Sequence, residues 1–148
     1  MNDEMQRLAQ LKQQGFLCSQ IIMIEGLEMM GKQNPDLVRA MHPLGNGLGG
    51  SGEICGALTG AVCLLGLYAG RGAPGDPPDY RLEAMTTELV DWFKQQQEPR
   101  YGGIRCSELL EGDVSLKPTR CPEFVRSCLQ KAKDLLVENG FELSGVEL

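Results

Sequence analysis

Residues 54–70 read ICGALTGAVCLLGLYAG, and none of them is charged. This stretch is at the short limit for a membrane span and is interrupted by glycines, so a buried central helix is the better interpretation. Gly56 and Gly60 are four residues apart. Small residues at that spacing form a flat helix face that lets a second helix approach closely. We therefore predict a charge-poor central helix over residues 53–68, packed tightly against a neighbour.

Apolar residues recur at helical spacing in the rest of the chain, and strand signals are nearly absent. Five glycines within residues 45–52 predict a tight turn directly before the central helix. The other patterns predict a first helix that ends near residue 15 and further helices over residues 18–30, 35–41, 80–97 and 121–139. They also predict a short helix near residues 107–110 and a loop over residues 71–79. The overall prediction is a single all-α domain over residues 1–148, a compact bundle of about five to six helices.

Composition excludes several classes of function. The formal net charge is −6, the pI is about 4.8, and the Lys and Arg residues are scattered. Nucleic acids and anionic membranes require clustered positive charge, so we expect neither as a partner. Residues 1–14 lack the basic start and apolar core of a signal peptide, which points to the cytoplasm. In that reducing compartment, cysteines are more often metal ligands or working thiols than structural disulfides.

Four of the six cysteines are predicted to lie where a helix begins: Cys18, Cys55, Cys106 and Cys121. A helix N-terminus presents unpaired N–H groups and the positive end of the macrodipole, and both favour a thiolate. Cys55 also follows the glycine run, so we predict that it is the most acidic thiol. Cys63 and Cys128 are predicted to fill the core, because free cysteine packs as a small hydrophobe.

The sequence around Cys55 resembles that of a known family. The resemblance is carried by CGALTG at residues 55–60, by Cys18-Ser19-Gln20 and by the glycine run upstream of the central helix. Downstream it takes in residues 66–70, residues 104–110 and Cys121. On these residues the chain resembles the C_GCAxxG_C_C family, whose label suggests redox activity. The resemblance implies that the family's four cysteines are Cys18, Cys55, Cys106 and Cys121.

Three functions follow from these four cysteines. They could hold an iron–sulfur cluster or a metal ion and pass electrons to a redox partner protein. They could instead work as a thiol–disulfide oxidoreductase with Cys55 as the nucleophile, or be inert in a structural protein. A related domain occurs in the split-Soret cytochrome beside a proposed iron–sulfur site, but this chain has no Cys-x-x-Cys-His and should bind no c-type haem. Either redox function requires the four cysteines to lie close together, and we predict that they do.

Several polar residues lie close to these cysteines in the sequence. Arg105 and Arg120 would lower the pKa of the adjacent thiols, or would simply face solvent. Glu53 either tunes Cys55 or is a solvated first-turn acid. His42, the only histidine, could approach Cys55, although a helix C-terminal cap is its commoner role. An exposed glycine face on the central helix would also suit a homodimer.

Overall fold

The structure, a computed structural model, describes residues 3–145. In chain order its helical segments are α1 (Asp3–Gln13), α2 (Cys18–Met29), α3 (Pro35–Met41), α4 (Gly45–Gly49), α5 (Gly56–Ala69), α6 (Tyr80–Tyr101), α7 (Cys106–Leu109) and α8 (Lys117–Glu138). Short 3-10 turns precede α4 and α8, at His42–Leu44 and Val114–Leu116. The described residues form one isolated β-bridge and no strand. The all-α prediction is therefore confirmed, with more short helical segments than the sequence indicated.

The charge-free helix α5 is the centre of the bundle. It packs against α2, α6 and α8, and Ala61, Leu64 and Leu65 on it have no exposed surface. A helix that is apolar on all sides has to be covered on all sides, which explains its central position. No helix within residues 3–145 is both long enough and apolar enough to cross a membrane.

Glycines allow α2 and α5 to cross at close range. A Cβ atom on Gly60 would lie 3.0 Å from the Cα of Ser19 and 3.1 Å from its carbonyl oxygen. A Cβ atom on Gly56 would lie 2.5 Å from the Sγ of Cys18. The glycine face of α5 is thus covered by α2 of the same chain. It is therefore not an exposed surface, which was the reason for predicting a homodimer.

Three helix boundaries differ from the prediction by three or four residues. α5 begins at Gly56, because residues 53–55 are held in an extended backbone pairing with residues 104–106. α6 continues through Pro99 to Tyr101 before a glycine in the left-handed conformation ends it. α8 begins at Lys117, where the preceding 3-10 turn runs straight into it and a proline occupies the first turn. Cys121 therefore lies in the second turn of α8 and not at a helix start.

Candidate functional site

Four separate segments place Cys18, Cys55, Cys106 and Cys121 in one region of the fold. In the folded chain, thiolate charges at Cys18 and Cys121 would raise the pKa of Cys55. A charge at Cys106 acts in the same way on Cys18 and on Cys121. Electrostatic interactions fall off with distance and are screened by solvent. The four thiols, which span residues 18 to 121 of the sequence, therefore lie close enough for their charges to interact.

A short backbone pairing holds the start of α5 beside the start of α7. The N–H of Cys55 donates to the carbonyl of Ile104 at 3.1 Å, and the N–H of Cys106 donates to the carbonyl of Glu53 at 2.6 Å. These two bonds lie on either side of a single antiparallel bridge. Because both bonds involve the cysteines' own backbone, the positions of the two cysteines are fixed relative to each other.

Two of the cysteines begin their helices with the same local pattern, Cys18-Ser19-Gln20 and Cys106-Ser107-Glu108. In each helix the long polar side chain at the third position turns back. It accepts a hydrogen bond from the N–H of the residue before the cysteine, at 3.1 Å in both cases. This is one half of a capping box, and it fixes where the helix begins. The repeated pattern is a sequence signal that the two cysteines occupy equivalent positions.

The serine in each pattern binds a different segment of the chain. Ser19 is fully buried, and its hydroxyl donates to the carbonyl of Met41 at 2.8 Å. The hydroxyl of Ser107 donates to the carbonyl of Gly52 at 2.9 Å. Each cysteine is thus followed by a residue that attaches its helix start to the stretch of chain from the end of α3 to the start of α5.

The glycine run forms a left-handed turn beside these cysteines. Its central residues Asn46, Gly47 and Leu48 have φ angles of 55°, 64° and 64°. A Cβ atom on Gly47 would lie 2.6 Å from the Cβ of Cys106, so no larger residue fits there. A backbone hydrogen bond from Asn46 to the sulfur of Cys18 lowers the pKa of that thiol. The left-handed conformation is unfavourable for a leucine by about 1–2 kcal/mol, and such strain is often found at functional sites.

The prediction that Cys55 is the most acidic thiol is wrong. Cys55 is only 8% exposed, and burial raises its pKa to about 12. Backbone hydrogen bonds from Ala57 and Leu58 lower the pKa, as a helix start should, but by less than burial raises it. The sequence pattern indicated the hydrogen-bond donors, but it did not indicate how deeply other helices cover this helix start.

Burial also raises the pKa of Cys18, and it raises that of Cys121 to about 11. At Cys121 two positive charges act in the opposite direction, those of Lys12 on α1 and Lys117 on α8. Sequence reasoning missed both lysines. Lys12 lies more than a hundred residues away from Cys121 along the chain, so no local pattern could reveal that the two residues interact.

The charged residues adjacent to the cysteines in the sequence are engaged elsewhere. Arg120 donates to a backbone carbonyl and to the carboxylate of Glu111, both at 2.7 Å. Arg105 lies 3.6 Å from the carboxylate of Glu53, and both of these side chains are exposed. His42 is exposed at the start of a 3-10 turn. The cations that act on Cys121 are therefore the two lysines, and Glu53 pairs with Arg105 at the surface.

The other two cysteines pack in the core, but only one of them is remote from the site. Cys63 is half-buried and packs against a small cluster formed by Met23, Leu27 and Met41. Cys128 has no exposed surface, and burial raises its pKa strongly, with further contributions from charges at Cys55 and Cys18. Cys128 is thus close enough to Cys55 and Cys18 for thiolate charges to act on it. It lies seven residues after Cys121, a spacing that puts both on one face of α8 and is a sequence signal for this position.

A cavity of about 640 Å³ opens beside the site, between α1, α2 and α8. The thiol-bearing residues Cys18 and Cys121 line it, together with Lys12 and Lys117. Cys55 and Cys128 do not line this cavity. One side of the cysteine cluster is therefore open to small molecules, whereas the opposite side is buried in the core.

Within residues 3–145, no group of three or more histidine, cysteine or carboxylate side chains is arranged to hold a metal ion. All six cysteines are free thiols in this structure.

Residues 16–135 match the model of the family described as "Putative redox-active protein (C_GCAxxG_C_C)". The matched region contains Cys18, Cys55, Cys106 and Cys121, and the pattern at residues 55–60 is Cys-Gly-Ala-x-x-Gly, where the family name writes GCAxxG. The searches found no match among curated proteins and none among solved structures. Since the family model covers most of the chain, from before the first of these cysteines to beyond the last, the chain belongs to the C_GCAxxG_C_C family, whose description points to redox activity.

Proposed function

We propose that Cys18, Cys55, Cys106 and Cys121 together hold an iron–sulfur cluster or a metal ion, and that the protein exchanges electrons with a partner protein. The observation that supports this most strongly is geometric. Cys55 and Cys106 flank one backbone bridge, Cys18 packs against the residue after Cys55, and Cys18 and Cys121 line one cavity. Four cysteine ligands suit both an iron–sulfur cluster and a tetrahedral metal ion. Because no three such side chains within residues 3–145 are already arranged as a ligand set, binding would have to draw the four sulfurs closer together.

The electrostatics of the donor set fit a positively charged group. As free thiols, Cys55 and Cys121 have pKa values of about 12 and 11, so both are protonated at neutral pH. Burial and mutual repulsion oppose their ionisation, and a cation placed among the sulfurs would offset both effects. A coordinating thiol is deprotonated by the metal. Binding should therefore release protons and should tighten as the pH rises.

An iron–sulfur cluster, when bound, supplies one-electron transfer at a potential that depends on hydrogen bonds to sulfur and on solvent exposure. This chain provides both kinds of control. Backbone hydrogen bonds reach the sulfur of Cys18 from Asn46, and that of Cys55 from Ala57 and Leu58. Cys55 is deeply buried, whereas Cys121 borders the open cavity. We propose that electrons enter and leave on the side of Cys121.

A dithiol function at Cys18 and Cys55 is the second candidate. It is favoured by their proximity, since the sulfur of Cys18 packs against Gly56, the residue directly after Cys55. In this function the two thiols would form a disulfide and give up two electrons and two protons to a disulfide-bearing partner. The raised pKa values of both thiols count against it, because the attacking species is the thiolate.

The test is the absorbance spectrum and the metal and sulfide content of protein purified without oxygen. We expect bound metal in the wild type, accompanied by sulfide and visible charge-transfer absorption where the group is an iron–sulfur cluster, and we expect these signals to be lost in Cys55→Ala and Cys121→Ala. The matched control is Cys63→Ala, which removes a half-buried cysteine outside the cluster and should retain both signals.

Two results would overturn the proposal. Colourless, metal-free protein whose thiol count rises by two on reduction would establish the dithiol function instead. Colourless, metal-free protein with an unchanged thiol count would exclude both functions.

A further inference from the structure

We propose that the cavity beside Cys18 and Cys121 binds a small organic anion with an apolar body, such as an aliphatic or aromatic carboxylate. The cavity and its charges define the ligand class. Only the further statement, that the ligand lies next to a redox centre, rests on the function proposed above.

Positive charge is concentrated in this cavity, although the chain as a whole carries a net charge of −6. Lys12 and Lys117 line it, and no Asp or Glu is among its lining residues. Neither lysine forms an ion pair with any carboxylate of residues 3–145. The ammonium group of Lys117 donates one hydrogen bond, to the side-chain oxygen of Asn46 at 2.9 Å. Two of its three donors remain for a ligand.

The two lysines lie beside the same cavity. One belongs to the last turn of α1 and the other to the first turn of α8, yet both line this cavity together with Cys121. A negatively charged group in the cavity would therefore be attracted by both lysines. Two converging cations are too few for a nucleic-acid backbone, which requires an extended row of positive charge. They suit a single small anionic group.

The rest of the cavity wall is mostly apolar, so the remainder of the ligand should be apolar too. A volume of about 640 Å³ falls within the range of about 300–1,000 Å³ found for small-molecule sites. Such sites combine an apolar lining with a few convergent polar groups that fix the ligand's orientation. The apolar part of the wall includes Leu8, Phe16, Leu17, Ile21, Pro122 and Val125.

The experiment is isothermal titration calorimetry of the full chain, purified without oxygen, with octanoate, 1-octanol, octylamine and inorganic phosphate as probes. We expect octanoate to bind with one-to-one stoichiometry. The three organic probes are unbranched eight-carbon molecules, so they differ chiefly in the polar end, which is a carboxylate, a hydroxyl or an ammonium group. We expect 1-octanol, octylamine and phosphate to bind at least about tenfold more weakly than octanoate.

Variants locate the binding. Lys12→Gln and Lys117→Gln should each weaken octanoate binding by about two- to fivefold, as expected for the loss of one partly exposed ion pair. The matched control is Lys94→Gln on α6, which is exposed and does not line the cavity, and it should have no effect. Ala9→Trp should abolish binding by filling the cavity, since Ala9 lines it from an exposed position and its replacement leaves the core intact.

Three results would overturn the inference: no octanoate binding at millimolar concentration, octylamine binding as tightly as octanoate, or both lysine variants behaving like Lys94→Gln. Metal content is measured on the same samples, so the two proposals fail independently. If the protein is metal-free but binds octanoate, only the proposed cofactor is contradicted. If the protein contains metal but does not bind octanoate, only the proposed ligand of the cavity is contradicted.

Discussion

Replacement of Gly60 by alanine tests the close crossing of α2 and α5 that positions Cys18. The new Cβ atom would lie 3.0 Å from the Cα of Ser19 and 3.1 Å from its carbonyl oxygen. These are backbone atoms and cannot rotate away as the end of a side chain can. Ser19 is also held by its buried hydrogen bond to Met41. The start of α2 would therefore have to shift as a unit, and Cys18 would move with it.

The expected magnitude comes from comparison with Gly66→Ala in the same helix. Nothing lies within 4 Å of a Cβ atom on Gly66, so this variant should gain the helix propensity of alanine over glycine, about 1 kcal/mol. Gly60→Ala has the same gain, but overpacking opposes it by about 1–3 kcal/mol. Because helix propensity cancels between the two variants, Gly60→Ala should be less stable than Gly66→Ala by about 1–3 kcal/mol. Gly60→Val should lose more, since its side chain is larger.

The assay is urea unfolding of the reduced, metal-free protein, followed by far-ultraviolet circular dichroism and supported by thermal melts. For a chain of this size the difference corresponds to about 2–12 °C in Tm. Equal stability of the alanine variants at positions 60 and 66 would show that α2 and α5 are not in close contact. It would also remove the crossing as the reason for the position of Cys18.

The other predictions concern the glycine turn and the thiols. Gly47→Ala should be less stable than Gly49→Ala by about 1–3 kcal/mol in urea unfolding. Both positions have a positive φ, but only a Cβ atom on Gly47 would meet a cysteine side chain. Equal stability of the two variants would contradict this packing. The reduced, metal-free protein should lose stability as the pH rises from 9 towards 12, because Cys55 stays protonated when folded and ionises when unfolded. Urea unfolding across that pH range should show that the free energy of unfolding falls less steeply with pH in Cys55→Ala than in the wild type. An equal slope in the two proteins would contradict the raised pKa of Cys55. Cys55 and Cys128 should be alkylated more slowly than the half-buried Cys63 at pH 8, with mass spectrometry locating the modified thiols; faster alkylation of either one would show that it is not buried.

Much of the fold could be predicted from the sequence, because many helices and helix caps depend only on residues that are close together in the chain. The charge-free stretch has to be covered on all sides wherever the other helices lie, and it is the central helix. Asn34 caps α3 by accepting from the N–H of Leu37 at 3.1 Å, as the Asn-Pro-Asp sequence indicated. The start of α5 was predicted too early, because its position depends on a backbone pairing with residues 104–106, which no local pattern shows.

The candidate site also combines features that the local sequence encodes with features that depend on how the helices pack. Its four cysteines were selected from their local sequence and from the family resemblance. The acidity of Cys55 was predicted wrongly, because the hydrogen-bond donors are encoded locally and the burial that exceeds their effect comes from other helices. The role of Lys12 could not be foreseen for a similar reason: it meets Cys121 only through the packing of α1 beside α8.

The central claim is that four distant cysteines share one cofactor. The intact mass of the protein, measured under native conditions after purification without oxygen, tests it most directly. The account predicts a mass above that of the polypeptide by one iron–sulfur cluster or one metal ion. That excess should be absent from Cys55→Ala and Cys106→Ala and present in Cys63→Ala. A mass equal to that of the polypeptide, or lower by two hydrogens for each disulfide formed, would contradict it.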